Sequence, residues 1–222
     1  MHHYIFTRFS VLDGKSTINK YFGIKTRKNT NMAKFLFNPK RMEEKFHIFD
    51  AITVPSMKKQ TDTNFTWLIY SSSSLPEEYK ERLLEYKDSN IHIKFVKNFE
   101  EMNADIIQQL DGKKNYSTTR LDDDDGLSPD FLKTLNKYES NENHIISFPH
   151  GKKIKRVKNA YVTKGNVNYK KIATGLSAIN TNVFSMGNHR KVNKKNPIIY
   201  DSLKDAYTVF CAPFARNTRR KC

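Results

Sequence analysis

Four consecutive aspartates, Asp122 to Asp125, stand inside "YSTTRLDDDDGLSPDF" (116–131). Like charges crowded this closely repel one another, and the cost falls when a cation neutralises them. Mg²⁺ or Mn²⁺ suits the position, since such hard ions take one or two carboxylates together with phosphate oxygens. The chemistry on offer is therefore the binding and activation of a diphosphate. A calcium loop of the EF-hand kind is excluded. With Gly126 at its sixth position, the first and last ligand positions fall on Leu121 and Leu132. A solvated acidic turn and a two-metal phosphodiesterase site are the competing readings of such a run.

The cluster needs elements to hold it. "STTRL" (117–121) reads as a strand that runs straight into the aspartates, and Ser128-Pro129 opens a helix that buries Phe131, Leu135 and Tyr138. In open α/β sheets ligands bind at the carboxyl ends of strands, which is where these carboxylates fall. Further strands are expected at 4–11, 65–70, 91–96, 144–148 and 175–180. Helices are expected at 41–60, kinked at Pro55, and from a Ser74/Glu77 capping box with Pro76 in its first turn. Others are expected at 99–111, with Met102, Ile106 and Leu110 on one face, and at 200–210 with Asp201 as N-cap. Residues 14–33 read as a loop, and 151–175 as a hairpin-rich insertion around Lys164-Gly165. The alternation predicts an α/β fold with a central, mostly parallel sheet flanked by helices. One domain, 1–222, is expected, with a nucleotide-binding half (1–126) and a more irregular acceptor-side half (127–222).

Bulk composition fits a folded chain with an anionic partner. There are 39 Lys and Arg against 23 Asp and Glu, a formal net charge of +16, and 15 Phe with 11 Tyr to fill a core. Denser basic patches lie at 150–159, 189–195 and 215–221. No run of 18 apolar residues and no secretory leader pattern is found, and two cysteines, Cys211 and Cys222, make no disulfide framework. A cytoplasmic protein is the expectation. His2 and His3 read as incidental rather than as a metal site.

With these residues in place, a family resemblance emerges. "RLDDDDGLSPDFL" resembles the Asp-x-Asp segment of GT-A glycosyltransferases. Together with "FTRFSV" and "VPSMKKQTDTNFTWLIY" it is similar to the rhamnosyltransferase family, which includes glycosyltransferase domains of large algal viruses of the chlorella type. The similarity is strongest over 4–130. It implies a metal-dependent inverting transfer of a sugar, rhamnose by the family's name, from a UDP- or dTDP-linked donor to a glycan or glycoconjugate acceptor. By motif position it implies Thr7, Arg8 and Phe9 near the base. It puts Arg120, Asp122 and Asp123 on the donor, and Asp124 with Asp125 on Mn²⁺ or Mg²⁺. Asp201 corresponds to the general base, with Asp205 and His189 as runners-up. Where relatives carry a His-Gly pair this chain has "PFARNTRR", so Arg216, Arg219 or Arg220 would supply that charge.

Transfer from UDP-glucose or another UDP-hexose, a metal-dependent nuclease and a basic nucleic-acid binder are the alternatives. Against the last stand the lack of zinc-ligand spacing, of an RNP-like aromatic motif and of a long basic helix, so no nucleic-acid partner is expected. A peripheral membrane contact is compatible with the charge. A further domain could follow residue 222.

Overall fold

The computed structural model describes residues 1–12, 32–158, 160–170, 172–185 and 197–211. In chain order the elements are β1 (His2–Phe9), α1 (Met32–Leu36), α2 (Pro39–Ile48), a π-turn (Phe49–Thr53), α3 (Val54–Lys58), β2 (Phe65–Ser72), α4 (Glu77–Leu84) and β3 (Ile91–Val96). Then follow α5 (Phe99–Leu110), β4 (Tyr116–Arg120), β5 (Asp125–Leu127), α6 (Phe131–Leu135), a 3₁₀ turn (Asn136–Tyr138), β6 (His144–Ser147), β7 (His150–Val157), β8 (Ala160–Asn168), β9 (Ser177–Ile179), β10 (Ile198–Tyr200) and β11 (Tyr207–Phe210). The main sheet has the order β10-β6-β9-β4-β1-β2-β3, and a smaller one has the order β5-β11-β7-β8.

Strands β3, β2, β1 and β4 are mutually parallel, as are β6 and β10, while β9 runs against β4 and β6. The unbroken apolar run of β2 reflects burial on both faces. Trp67 and Ile69 enter a cluster with Phe46 and Phe49 of the α2 region. Leu68 and Tyr70 enter a second cluster with Met102 and Ile106 of α5. Helix α5 begins where Asn98 accepts a hydrogen bond from the Glu101 amide at 2.9 Å, an N-cap of the usual chemistry.

The helix expected at 41–60 is one bent unit. Pro55 has no amide hydrogen to give the preceding turn, and the chain widens into a π-turn over 49–53 before α3 continues. Three expectations are corrected. The helix after β2 starts at Glu77 behind Pro76 with no side-chain cap, so Ser74 and Glu77 do not form a capping box. The 151–175 hairpin turns at Lys158, whose φ is 54°, and Lys164-Gly165 lies instead where the β7–β8 register shifts. Residues 200–210 are not a helix: β10 ends at Tyr200, a turn follows, and β11 occupies 207–210. There the alternation of buried Tyr207 and Val209 in one core, with Phe210 in another, prevails over the helical spacing. Most of the 14–33 loop lies outside the described residues, although Met32 already belongs to α1.

Candidate active site

From β1 the chain builds outward to β2 and β3, then crosses back to place β4 on the other side of β1. This reversal is the topological switch point where open α/β sheets leave a crevice. The carboxyl ends of β1 and β4 flank it, and they carry Arg8 and the acidic run.

Each aspartate has a different environment. Asp122 accepts from Arg120, at 3.2 Å from Nε and 3.0 Å from Nη2, and Arg8 Nη2 lies 3.9 Å away. The Arg8 guanidinium sits 5.4 Å from each of the Phe99 and Phe184 ring centres, and Arg120 is 5.9 Å from Phe184. Two cations and one carboxylate are thus held on an aromatic support. Asp123 is buried and ion-paired with Lys45 of α2, whose ammonium also lies 4.9 Å from the Phe9 ring centre. Asp125 is fully buried. Its Oδ2 accepts from the Thr174 hydroxyl and its Oδ1 from the Phe210 amide at 3.3 Å. Asp124 is half-buried between them. Arg41 donates to the Leu36 carbonyl at 2.9 Å and to Ser10 Oγ at 3.3 Å. Burial lowers the Arg41 pKa, and the charges of Asp123 and Asp124 act in the opposite direction.

The protein's own cations therefore offset much of the cluster's charge. Among the described residues no group of three His, Cys, Asp or Glu side chains is arranged to hold a metal. The donor set still fits a hard divalent ion shared with a ligand, because Mg²⁺-type sites use one or two carboxylates and take the remaining oxygens from phosphates. Asp124 and Asp122, both partly exposed, would be the carboxylates for that role, whereas Asp125, expected beside Asp124 on the metal, is fully buried with both oxygens accepting hydrogen bonds from Thr174 and the Phe210 amide.

Of the residues expected near a base, Thr7 and Phe9 face the core. The Thr7 hydroxyl accepts from Trp67 Nε1 at 2.9 Å, and Phe9 packs on Phe46 and Phe49. Arg8 is the one of the three whose side chain reaches the crevice. Asp201 is not brought to the cluster: β9 and β6 lie between β4 and the β10 end that carries it. Its carboxylate accepts from the Tyr138 hydroxyl at 2.5 Å and from the Leu203 amide at 2.6 Å, so it closes a turn rather than capping a helix. Asp205 pairs with Lys152 at 2.7 Å on the rim of a cleft of about 340 Å³. His189, Arg216, Arg219 and Arg220 lie outside the described residues. His2 is tied to Asn64 and Thr66 at 2.7 and 2.9 Å. Sequence reasoning missed Lys45, Arg41, Phe99, Phe184 and Thr174. Their distance along the chain from the aspartates left no local signal.

A parallel nucleotide-type half-sheet, with an acidic strand end at its switch point, defines an α/β fold of the GT-A type. Solved structures agree. S. aureus TarS, residues 1–349, matches with a TM-score of 0.54 at 12% identity, covering 95% of this chain and 61% of that one. Its complex with UDP-GlcNAc matches at 0.53 and 12%, covering 95% and 58%. Its complex with UDP matches at 0.52 and 12%, covering 96% and 61%. The chain thus spans about three fifths of that structure's length. No curated protein matches it. The chain belongs to the family described as "Putative rhamnosyl transferase", which matches residues 2–209. Among the described residues no helix is long and apolar enough to cross a membrane.

Proposed function

We propose that this protein transfers a sugar, rhamnose by the family's description, from a nucleoside-diphosphate donor to a glycan acceptor, with inversion and with the help of Mn²⁺ or Mg²⁺. The observation that carries the reading is the Arg8–Arg120–Asp122 constellation at the switch point of a chain belonging to this family. The TarS complexes with UDP-GlcNAc and UDP support a uridine donor. A thymidine donor is the other form of the same reading.

In this reaction the bond between the anomeric carbon and the donor's phosphate oxygen breaks. The nucleoside diphosphate leaves with the electron pair, the acceptor oxygen bonds to carbon from the opposite face, and its proton passes to a base. Positive charge grows on the sugar and negative charge on the leaving group. Arg8 and Arg120 present guanidinium groups to the diphosphate, whose oxygens they match in forked geometry. Phe99 and Phe184 fix the plane of Arg8 in advance, which limits reorganisation on binding. Lys45 keeps Asp123 neutralised, and buried Asp125 holds the loop so that Asp122 and Asp124 present their carboxylates. A divalent ion held there would add positive charge at the departing diphosphate. Asp201, at the same edge of the sheet but three strands from β4, is the candidate base by the family resemblance. For it to serve, the donor sugar would have to extend across the ends of β9 and β6, and the acceptor hydroxyl would have to replace Tyr138 at its carboxylate.

Calorimetric titration of UDP with and without Mn²⁺, on wild type and on Asp124→Ala, tests the proposal. Mn²⁺-dependent binding that weakens at least about tenfold in the variant is expected. Wild type that binds neither UDP nor dTDP under either condition would sink it.

A further inference from the structure

Helix α2 turns Arg41 and Lys45 toward the acidic run and sends its two glutamates to other partners. Glu43 pairs with Arg82 at 3.0 Å and Glu44 with Arg156 at 3.3 Å. Lys45, next in sequence, instead reaches Asp123, and its ammonium rests 4.9 Å from the Phe9 ring centre. Its side chain is 13% exposed and that of Asp123 11%. A lysine this enclosed needs an anion, and among the described residues Asp123 is its only ion-pair partner. Arg41, four residues earlier and so on the same side of the helix, lies in the field of Asp123 and Asp124.

The consequence is a charge balance. Arg8 and Arg120 stand at Asp122, Lys45 stands at Asp123, and Arg41 acts on Asp123 and Asp124. Four cations thus face four aspartates, and the last of these, Asp125, is buried with both oxygens occupied. A divalent ion arriving alone gains little from a run already neutralised. To collect Asp123 it would also have to displace an ammonium from a nearly buried carboxylate. A nucleoside diphosphate alters this balance twice. It draws Arg8 and Arg120 to its own oxygens, and it supplies the oxygens that complete the shell of a hard ion. Neutralising a buried carboxylate for stability alone would also account for a lysine here. The two roles separate when the lysine is removed.

We infer that Lys45 is a built-in counter-cation that keeps a lone divalent ion out of the acidic run, so that the metal enters only in company with a nucleoside diphosphate. The inference rests on the transferase reading for its purpose, and the exclusion itself is measured without nucleotide. The probe is Mn²⁺ alone, its free form followed by electron paramagnetic resonance. It is titrated with wild type, Lys45→Ala, the charge-preserving Lys45→Arg, and Lys45→Ala/Asp123→Asn. Melting temperatures of the same four proteins with and without Mn²⁺ give an independent readout, since an ion that binds the folded state raises Tm.

Lys45→Ala should bind Mn²⁺ at least about tenfold more tightly than wild type, and Mn²⁺ should raise its Tm but not that of wild type. Lys45→Arg should stay within about threefold of wild type. The double variant should lose the gain, because Asp123 is the carboxylate that Lys45 covers. Wild type that binds Mn²⁺ alone as tightly as Lys45→Ala would overturn the inference. So would a gain that survives in the double variant. Lys45→Ala that fails to fold and is not recovered by Mn²⁺ would also overturn it and leave the lysine a purely structural partner. Addition of UDP or dTDP separates the two ideas. Wild type that takes up no Mn²⁺ even with nucleotide, beside Lys45→Ala that binds Mn²⁺ alone, would cost the transferase reading while the exclusion by Lys45 stands.

Discussion

At the scale of single residues, the four aspartates divide by partner rather than by position in the run. Asp125 is the one turned wholly inward. Removing a carboxylate that satisfies a buried amide and a buried hydroxyl leaves both without a partner, which costs about 1–3 kcal/mol. Asp125→Ala should therefore lower the unfolding free energy, read from urea titration, by that much, with Thr174→Val giving a smaller loss; an unchanged urea midpoint would mean that Asp125 does not hold the loop. Asp201→Asn separates two roles. If Asp201 is the base, kcat falls by roughly 10²–10⁴ while UDP affinity holds. Retained kcat with a lowered Tm would leave it only the turn it closes through Leu203 and Tyr138. The acidic cluster itself is legible in the sequence, because four aspartates at a strand end have few other uses. Its neutralisation is not. Lys45 reaches Asp123 across 78 positions of chain, a meeting set by the α2 packing angle rather than by any local pattern.

At the scale of elements, legibility followed the strength of the local physics. The strands of the first half are short, apolar and bounded by turns, and helix α5 has a clean face and a capping Asn. The segment 200–210 has apolar residues at both helical and strand spacing, so its neighbours decide the outcome. Tyr207 must lie against Gly151 of β7, and β11 completes the sheet between β5 and β7. A methyl group added at Gly151 would come within 2.3–2.6 Å of the Tyr207 ring. That ring is fully buried and its hydroxyl donates to the Pro149 carbonyl at 3.2 Å, so it has nowhere to go. Gly151→Ala should cost about 1–3 kcal/mol of stability by overpacking. Denaturant melts of the two proteins check this, and a difference below about 0.5 kcal/mol would show that the ring swings aside.

At the scale of the whole molecule, the sheet has a working edge and a structural edge. The carboxyl ends of β1 and β4 bear the site. Toward the opposite end, His3 on β1 and Ser117 on β4 are buried and share a hydrogen bond of 2.7 Å, and His3 Nε2 lies 3.5 Å from Asp62. Burial lowers the His3 pKa to about 4, a pull that the nearby Asp62 only partly offsets. The ordinary value in an unfolded chain is about 6.5. Above that pH both states hold a neutral ring, and His3 adds no pH dependence. As pH falls from 6.5 toward 4 the unfolded chain takes up the proton and the folded chain does not, so stability drops, by up to about 1.4 kcal/mol per unit. His3→Gln removes this contribution. The stability difference between wild type and variant should therefore shrink on going from pH 7.5 to 4.5, by at most about 3 kcal/mol. Urea unfolding at a series of pH values measures it. Parallel curves would mean that folded His3 takes up its proton over the same pH range as the unfolded chain; a difference that grows on acidification would mean that Asp62 holds the ring protonated, and the sheet's structural edge would then be held by charge rather than by burial.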